Sequence, residues 1–187
     1  MDEEIFDAVY VVWLGAAILE RVIIARSGQG ESKTKRDRGS ALLIFSTIFV
    51  SVAIAFAFAG ASVGILPAYF FYVGIALMIM GILVREWAVA TLKGYFSYRV
   101  RVREDHRIVE SGPYRFVRHP AYSGSILLVL GIGVAVRSWV GVLVLTVAFG
   151  LAYGYRIRVE ESLLLEELGE EYSNYMKRTK RLFPHLI

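Results

Sequence analysis

Residues 39–84 carry no charged side chain, and that constrains the fold more than any other feature of this chain. The run is too long for one bilayer crossing, which takes about 20 mostly apolar residues. Gly60-Ala-Ser-Val-Gly64 divides it into two segments, 41–59 and 67–84, and reads as a tight turn. Backbone inside a bilayer must satisfy its own N–H and C=O groups, so each segment is expected to be a helix and the pair a hairpin. A second hairpin is expected over 122–136 and 140–155, broken by Arg137-Ser-Trp139. The N-terminal run 5–25 supplies a fifth span. It carries Asp7, Glu20 and Arg21, the last two where they can lie near an interface. The fold class is therefore an all-α integral membrane protein of about five transmembrane helices.

Composition agrees: 56% of the 187 residues are hydrophobic, too many for an ordinary soluble domain. The length suits one domain over 1–187, with N-terminal spans in 1–84 and the polar, chemistry-bearing part in 85–187. There is no cysteine, hence no disulfide framework and no thiolate chemistry. No His/Cys/carboxylate spacing resembles a metal-ligand set. The net charge of +4 is not gathered into a basic stripe, so nucleic acid is not an expected partner. The start, Met-Asp-Glu-Glu, is acidic where a cleavable signal peptide is basic.

Apart from Arg21 and Arg137, the lysines and arginines fall in three segments, 26–40, 85–119 and 156–181, which alternate with the nearly uncharged connections around Gly60 and Arg137. By the positive-inside rule the three basic segments are cytosolic. Five spans then place the N-terminus outside and the C-terminus inside.

Helix is expected to continue from the third span to about Leu92 and to break at Lys93-Gly94-Tyr95. Residues 156–181 read as an amphipathic helix leaving the last span, with an apolar stripe at Leu163, Leu164, Leu165 and Leu168 and a kink at Gly169. Arg156 and Glu160 are four apart and share a face, Glu167 falls near it, and Glu161 points about a quarter-turn away. Pro120 disfavours helix at His119 and is itself welcome in a first turn, so His119-Pro120 marks the mouth of the fourth span. Such a helix end offers N–H groups to a polar or anionic ligand. Plainer readings stand beside these. Arg156 and Glu160 also read as an ordinary ion pair, His119 as an interfacial residue, and Arg85 as a side chain that snorkels. Gly131 and Gly133 suit close helix packing, and Tyr69 to Tyr72 an aromatic belt.

His106-Arg-Ile-Val-Glu-Ser-Gly-Pro-Tyr114, Arg118-His-Pro-Ala-Tyr-Ser-Gly124, Arg156 with Glu160-Glu161, and Gly169-Glu-Glu-Tyr172 resemble the isoprenylcysteine carboxyl methyltransferase family. The phospholipid N-methyltransferases are related to it. The likeness covers about Arg85 to the C-terminus and is that of a minimal, prokaryotic-type member without the extra N-terminal spans of eukaryotic enzymes. It implies a cytosol-facing pocket for S-adenosylmethionine, with S-adenosylhomocysteine as product, and no Rossmann fold. The implied cofactor residues are His106, Arg107, Ile108, Val109, Tyr114, His119, Pro120, Ala121, Tyr122 and Glu160. Arg156 matches the arginine that takes the substrate carboxylate, and Arg85 a second functional arginine.

The implied acceptor is a lipophilic carboxylate, such as a prenylated cysteine, held in the bilayer. With a reference pKa of about 3.3–3.7 such a carboxyl is already ionised and needs no general base. It needs alignment and partial removal of water, tasks that suit a bidentate arginine. The tail helix is expected to close over the cofactor. The alternatives are transfer to an aminolipid, which requires a neutral amine with a base near it, an NADPH-dependent membrane reductase, and a scaffold without catalysis.

Overall fold

The computed structural model describes residues 3–27, 32–35, 39–96, 101–103 and 108–184. Five long helices occupy the expected places: α1 (Glu3–Ser27), α2 (Ser40–Gly60), α3 (Phe70–Leu92), α4 (Pro120–Ala135) and α5 (Trp139–Leu168). A short α6 (Glu170–Arg178) follows. Three segments, Leu42–Gly60, Phe70–Leu92 and Trp139–Leu168, are long and apolar enough to cross a membrane. At 16 residues α4 is about 24 Å long, short of the roughly 30 Å hydrocarbon core. Phe49, Leu42 and Leu151 are 80%, 74% and 73% exposed. Lipid tails are a natural solvent for such surfaces, and the chain is an integral membrane protein.

Two local expectations are met closely. Helix α3 ends at Leu92, where Lys93 turns to φ 52 and a 3-10 turn runs through Lys93–Tyr95. Gly169, at φ 53 and ψ −123, does more than kink the tail: it ends α5 and starts α6. A left-handed backbone of this kind favours glycine. One element departs from the all-α expectation. Strands β1 (Ser32–Lys35) and β2 (Arg101–Arg103) pair antiparallel, Lys35 opposite Arg101, as a small ribbon joining two of the basic connections. These stretches are too polar for a bilayer, and outside one an extended pair can satisfy its backbone.

The two short connections lie together at one end of the bundle. Ile65 bridges Ser138, Leu66 N–H donates to the Arg137 carbonyl at 2.7 Å, and Trp139 N–H donates to the Gly64 carbonyl at 2.9 Å. The connections after α1 and α3 and the tail therefore fall at the other end, where the polar residues gather.

Apolar burial drives little in lipid, so close van der Waals packing must hold the helices together. α3 and α4 meet through glycine. A Cβ on Gly81 would sit 2.4 Å from Leu128 N, and one on Gly124 2.6 Å from Arg85 N. Gly131 and Gly133 play the packing role expected of them, against Met78 of α3 and Leu145 of α5. α2 and α5 share a core of Ala55, Ala59, Leu145, Phe149 and Tyr153, and Val9 of α1 packs on Met78, Ile132 and Ala135.

Candidate active site

Pro120 is the first residue of α4, and His119 before it is non-helical at φ −125 and ψ 55. The chain entering this helix is held by the tail: Arg118 N–H donates to the Lys180 carbonyl at 2.8 Å, and His119 N–H to that of Arg181 at 3.0 Å. Ser123 Oγ donates to the Leu182 carbonyl. The helix mouth offers fewer donors than expected. Pro120 has no N–H, and those of Tyr122 and Ser123 close on the His119 carbonyl at 3.0 and 3.1 Å.

Side chains carry the recognition instead. Tyr122 Oη donates to Glu160 Oε2 at 2.5 Å and accepts from Arg156 Nε at 3.0 Å. One half-buried phenol thus joins a cation and an anion that follow each other by one turn of α5. The His119 ring stacks on Tyr122, centroids 5.4 Å apart and planes 10° apart, and Tyr153 packs beside it at 5.0 Å. Arg156 is buried, whereas the Glu160 side chain keeps 30% of its surface. The accessible group of this set is therefore a carboxylate. Its environment, aromatic faces with a carboxylate, suits a cation.

Behind His119 sits Glu161, which sequence reasoning turned away from the shared face. It is the hub of the tail. Its Oε1 accepts from Arg118 Nε at 3.0 Å and lies 3.3 Å from His119 Nε2, while Oε2 accepts from Arg181 Nη2 at 2.9 Å. Arg118 Nη1 also donates to the Met176 carbonyl at 3.1 Å and to that of Thr179. The sequence signal was present in Arg118-His119 and Glu160-Glu161; the pairing needed the third dimension.

Arg85 faces the bundle interior rather than snorkelling. Its Nε and Nη2 fork onto Glu20 at 2.7 and 2.6 Å, and its Nη1 donates to Ser125 Oγ at 2.6 Å and the Ala121 carbonyl at 3.2 Å. Glu20 is buried here, and the bidentate guanidinium makes that tolerable.

Tyr114 is buried within a 3-10 turn at Gly112–Arg115, and its carbonyl accepts from Tyr175 Oη of α6 at 2.7 Å. Burial first, then the nearby Glu160 carboxylate, holds its phenol well above the ordinary value, so it stays protonated. Val109 packs in the cluster of Ala88, Val89, Phe96, Tyr114 and Ala121, and Ile108 beside it is half-buried. The structure thus brings Tyr114, His119, Pro120, Ala121, Tyr122, Arg156 and Glu160 to one place. Arg85 lies one contact behind them, through Ala121. His106 and Arg107 lie outside the described residues.

Residues 74–166 match the model of the isoprenylcysteine carboxyl methyltransferase (ICMT) family, a stretch from within α3 through most of α5 that holds Arg85 and every other residue just gathered. The chain belongs to the isoprenylcysteine carboxyl methyltransferase family. Among ICMT-family relatives, a probable protein-S-isoprenylcysteine O-methyltransferase of Oryza sativa subsp. indica is 30% identical over 125 residues, 65% of each chain. The cobalt-zinc-cadmium resistance protein CzcN of Cupriavidus metallidurans is 34% identical over 113 residues, 60% of this chain and 47% of that one. The fold is that of a solved eukaryotic intramembrane Ras methyltransferase ICMT, with TM-score 0.62 and 23% identity over 82% of this chain and 55% of the other. This chain therefore spans just under two thirds of the rice ICMT-family relative and about half of the solved ICMT chain.

Proposed function

We propose that this chain transfers a methyl group from S-adenosylmethionine to the carboxylate of a lipophilic, isoprenylcysteine-like acceptor. The observation that carries the reading is Tyr122 holding Arg156 and Glu160 on one hydroxyl. It sets an anion receptor beside a cation receptor within one turn of α5.

The residues present fit the cofactor by the chemistry of their donors. Glu160 keeps accessible surface and suits the cofactor's ammonium. Val109 packs with the buried Tyr114, and the stretch 106–109 to which it belongs suits the cofactor's adenine. His119 and Tyr122 offer polar edges and flat faces to the rest. When bound, the cofactor supplies an electrophilic methyl group on a sulfonium. Arg156, buried and orientated by Tyr122, binds and aligns the acceptor carboxylate; it moves no proton. Exclusion of water around the buried Arg156 strips the carboxylate of solvation that dampens its nucleophilicity. Four of the five N–H groups of Arg85 are engaged by Glu20, Ser125 and Ala121, so Arg85 supports the site from behind.

The acceptor stays in the membrane because its tail gains about 0.8 kcal/mol per buried CH2. The end of the bundle bearing Lys93, Arg115, Arg118, Arg158, Lys177 and Lys180 faces the cytosol, with the N-terminus outside. Five helices cross the membrane in this reading, α4 with its flanking turns.

Incubating purified protein with labelled cofactor and either a prenylated-cysteine analogue or phosphatidylethanolamine tests the reading. A base-labile methyl ester on the analogue is expected. Methylation of the aminolipid alone would replace the carboxylate with an amine acceptor.

A further inference from the structure

Glu20 belongs to α1, outside the segment that matches the family, yet it is buried against Arg85, which makes four hydrogen bonds. An ionised pair inside a membrane bundle is costly, and its presence asks for a task. Its geometry indicates one. Glu20 takes Nε and Nη2 of Arg85, which fixes the plane of the guanidinium. That leaves Nη1 aimed at the Ala121 carbonyl and Ser125 Oγ, both on the first turns of α4. Ala121 and Ser125 bracket Tyr122 in sequence, and Ser125 Oγ also donates back to the Ala121 carbonyl at 2.9 Å. Gly124 lets this turn come close, since a Cβ there would lie 2.6 Å from Arg85 N. A continuous line of contacts therefore runs from α1 through Arg85 to the turn that presents Tyr122, and from Tyr122 to Arg156 and Glu160.

We propose that Glu20 is a positioning residue for the methyl-transfer site: by fixing the Arg85 guanidinium it sets the first turn of α4, and with it the place of the Tyr122 hydroxyl. The inference rests on the proposed function. It gives α1 a part in the site that the matched segment alone does not contain, and it explains why four of the five N–H groups of Arg85 are turned to the protein itself.

A tie that merely held α1 to the bundle would change how much protein is folded. A positioning residue changes how well folded protein binds. Calorimetric titration of S-adenosylhomocysteine into the purified full chain in nanodiscs separates these, because stoichiometry reports the competent fraction and Kd the site. Glu20→Gln keeps size and removes the charge. It is expected to weaken binding about tenfold at unchanged stoichiometry, the scale of coupling within one network. Ser125→Ala keeps the Glu20–Arg85 pair, which guards folding, and removes the shorter of its two ties to α4. A weakening of about 2- to 10-fold, one hydrogen bond's worth, is expected. Glu20→Gln combined with Tyr122→Phe should bind no more weakly than Tyr122→Phe alone. Lowered stoichiometry with unchanged Kd in Glu20→Gln, a silent Ser125→Ala, or fully additive losses in the double variant would overturn the proposal. Wild-type protein that binds no S-adenosylhomocysteine would remove the methyl-transfer reading itself, and this inference with it.

Discussion

The Tyr122 hydroxyl and Glu160 Oε2 meet at 2.5 Å across the interface of α4 and α5. The bond is short because its acceptor is charged, and the Tyr122 hydroxyl oxygen in turn accepts from Arg156 Nε. Removing one oxygen atom therefore uncouples both charged groups. Tyr122→Phe is expected to weaken S-adenosylhomocysteine binding by about 10- to 100-fold, the range for a hydrogen bond to a charged group, with the fold intact. Calorimetry beside a thermal melt checks it; an unchanged Kd would deny the phenol its part.

Arg156 should act on the acceptor rather than on the donor. Arg156→Ala is expected to lower kcat/KM for a prenylated-cysteine analogue by about 10²-fold or more, while S-adenosylhomocysteine affinity shifts far less. Arg156→Lys should recover only part, because an ammonium lacks the planar fork. Full turnover in Arg156→Ala would remove its assigned role.

Glu161 is structural by its partners. Its carboxylate serves Arg118, His119 and Arg181, and it is 4% exposed. Glu161→Ala leaves Arg118 buried without that partner, and breaking a buried pair costs about 3–5 kcal/mol. The expected result is a lowered unfolding midpoint in detergent. Arg181 is half-exposed, so Arg181→Ala should cost much less. Equal losses for the two would contradict a hub at Glu161.

The tail after Gly169 is stitched to the site. It supplies the Tyr175 bond to the Tyr114 carbonyl and the Lys180 and Arg181 carbonyls that receive Arg118 and His119. A chain ending at Gly169 is expected to lose measurable S-adenosylhomocysteine binding. Retained affinity would show that His119 and Tyr114 hold their places unaided.

What the sequence disclosed and what it hid divide along a physical line. Charge-free runs and glycine breaks are local, so α2, α3 and the Lys93 break could be read directly. Arg156 and Glu160 share a face by helical spacing alone, and Pro120 announced its own helix start. The ion pairs were not local. Glu20 lies 65 residues from Arg85, and Glu161 lies 43 from Arg118. Nothing in either neighbourhood distinguishes a carboxylate bound for water from one bound for a buried guanidinium. The same holds for Ser125, which sits in an uncharged run and meets a guanidinium 40 residues away. The strand pair escaped because its two pieces, β1 and β2, lie on either side of the α2–α3 hairpin.

The proposed transfer requires a methyl donor to bind at Glu160 and Tyr122. Titrating the wild-type protein and Glu160→Ala in nanodiscs with S-adenosylhomocysteine, and in parallel with NADPH, addresses it most directly. Saturable one-to-one binding of S-adenosylhomocysteine, weakened at least about tenfold in Glu160→Ala, with no heat from NADPH, is the predicted result. Binding of NADPH in its place, or S-adenosylhomocysteine affinity indifferent to Glu160, would contradict it.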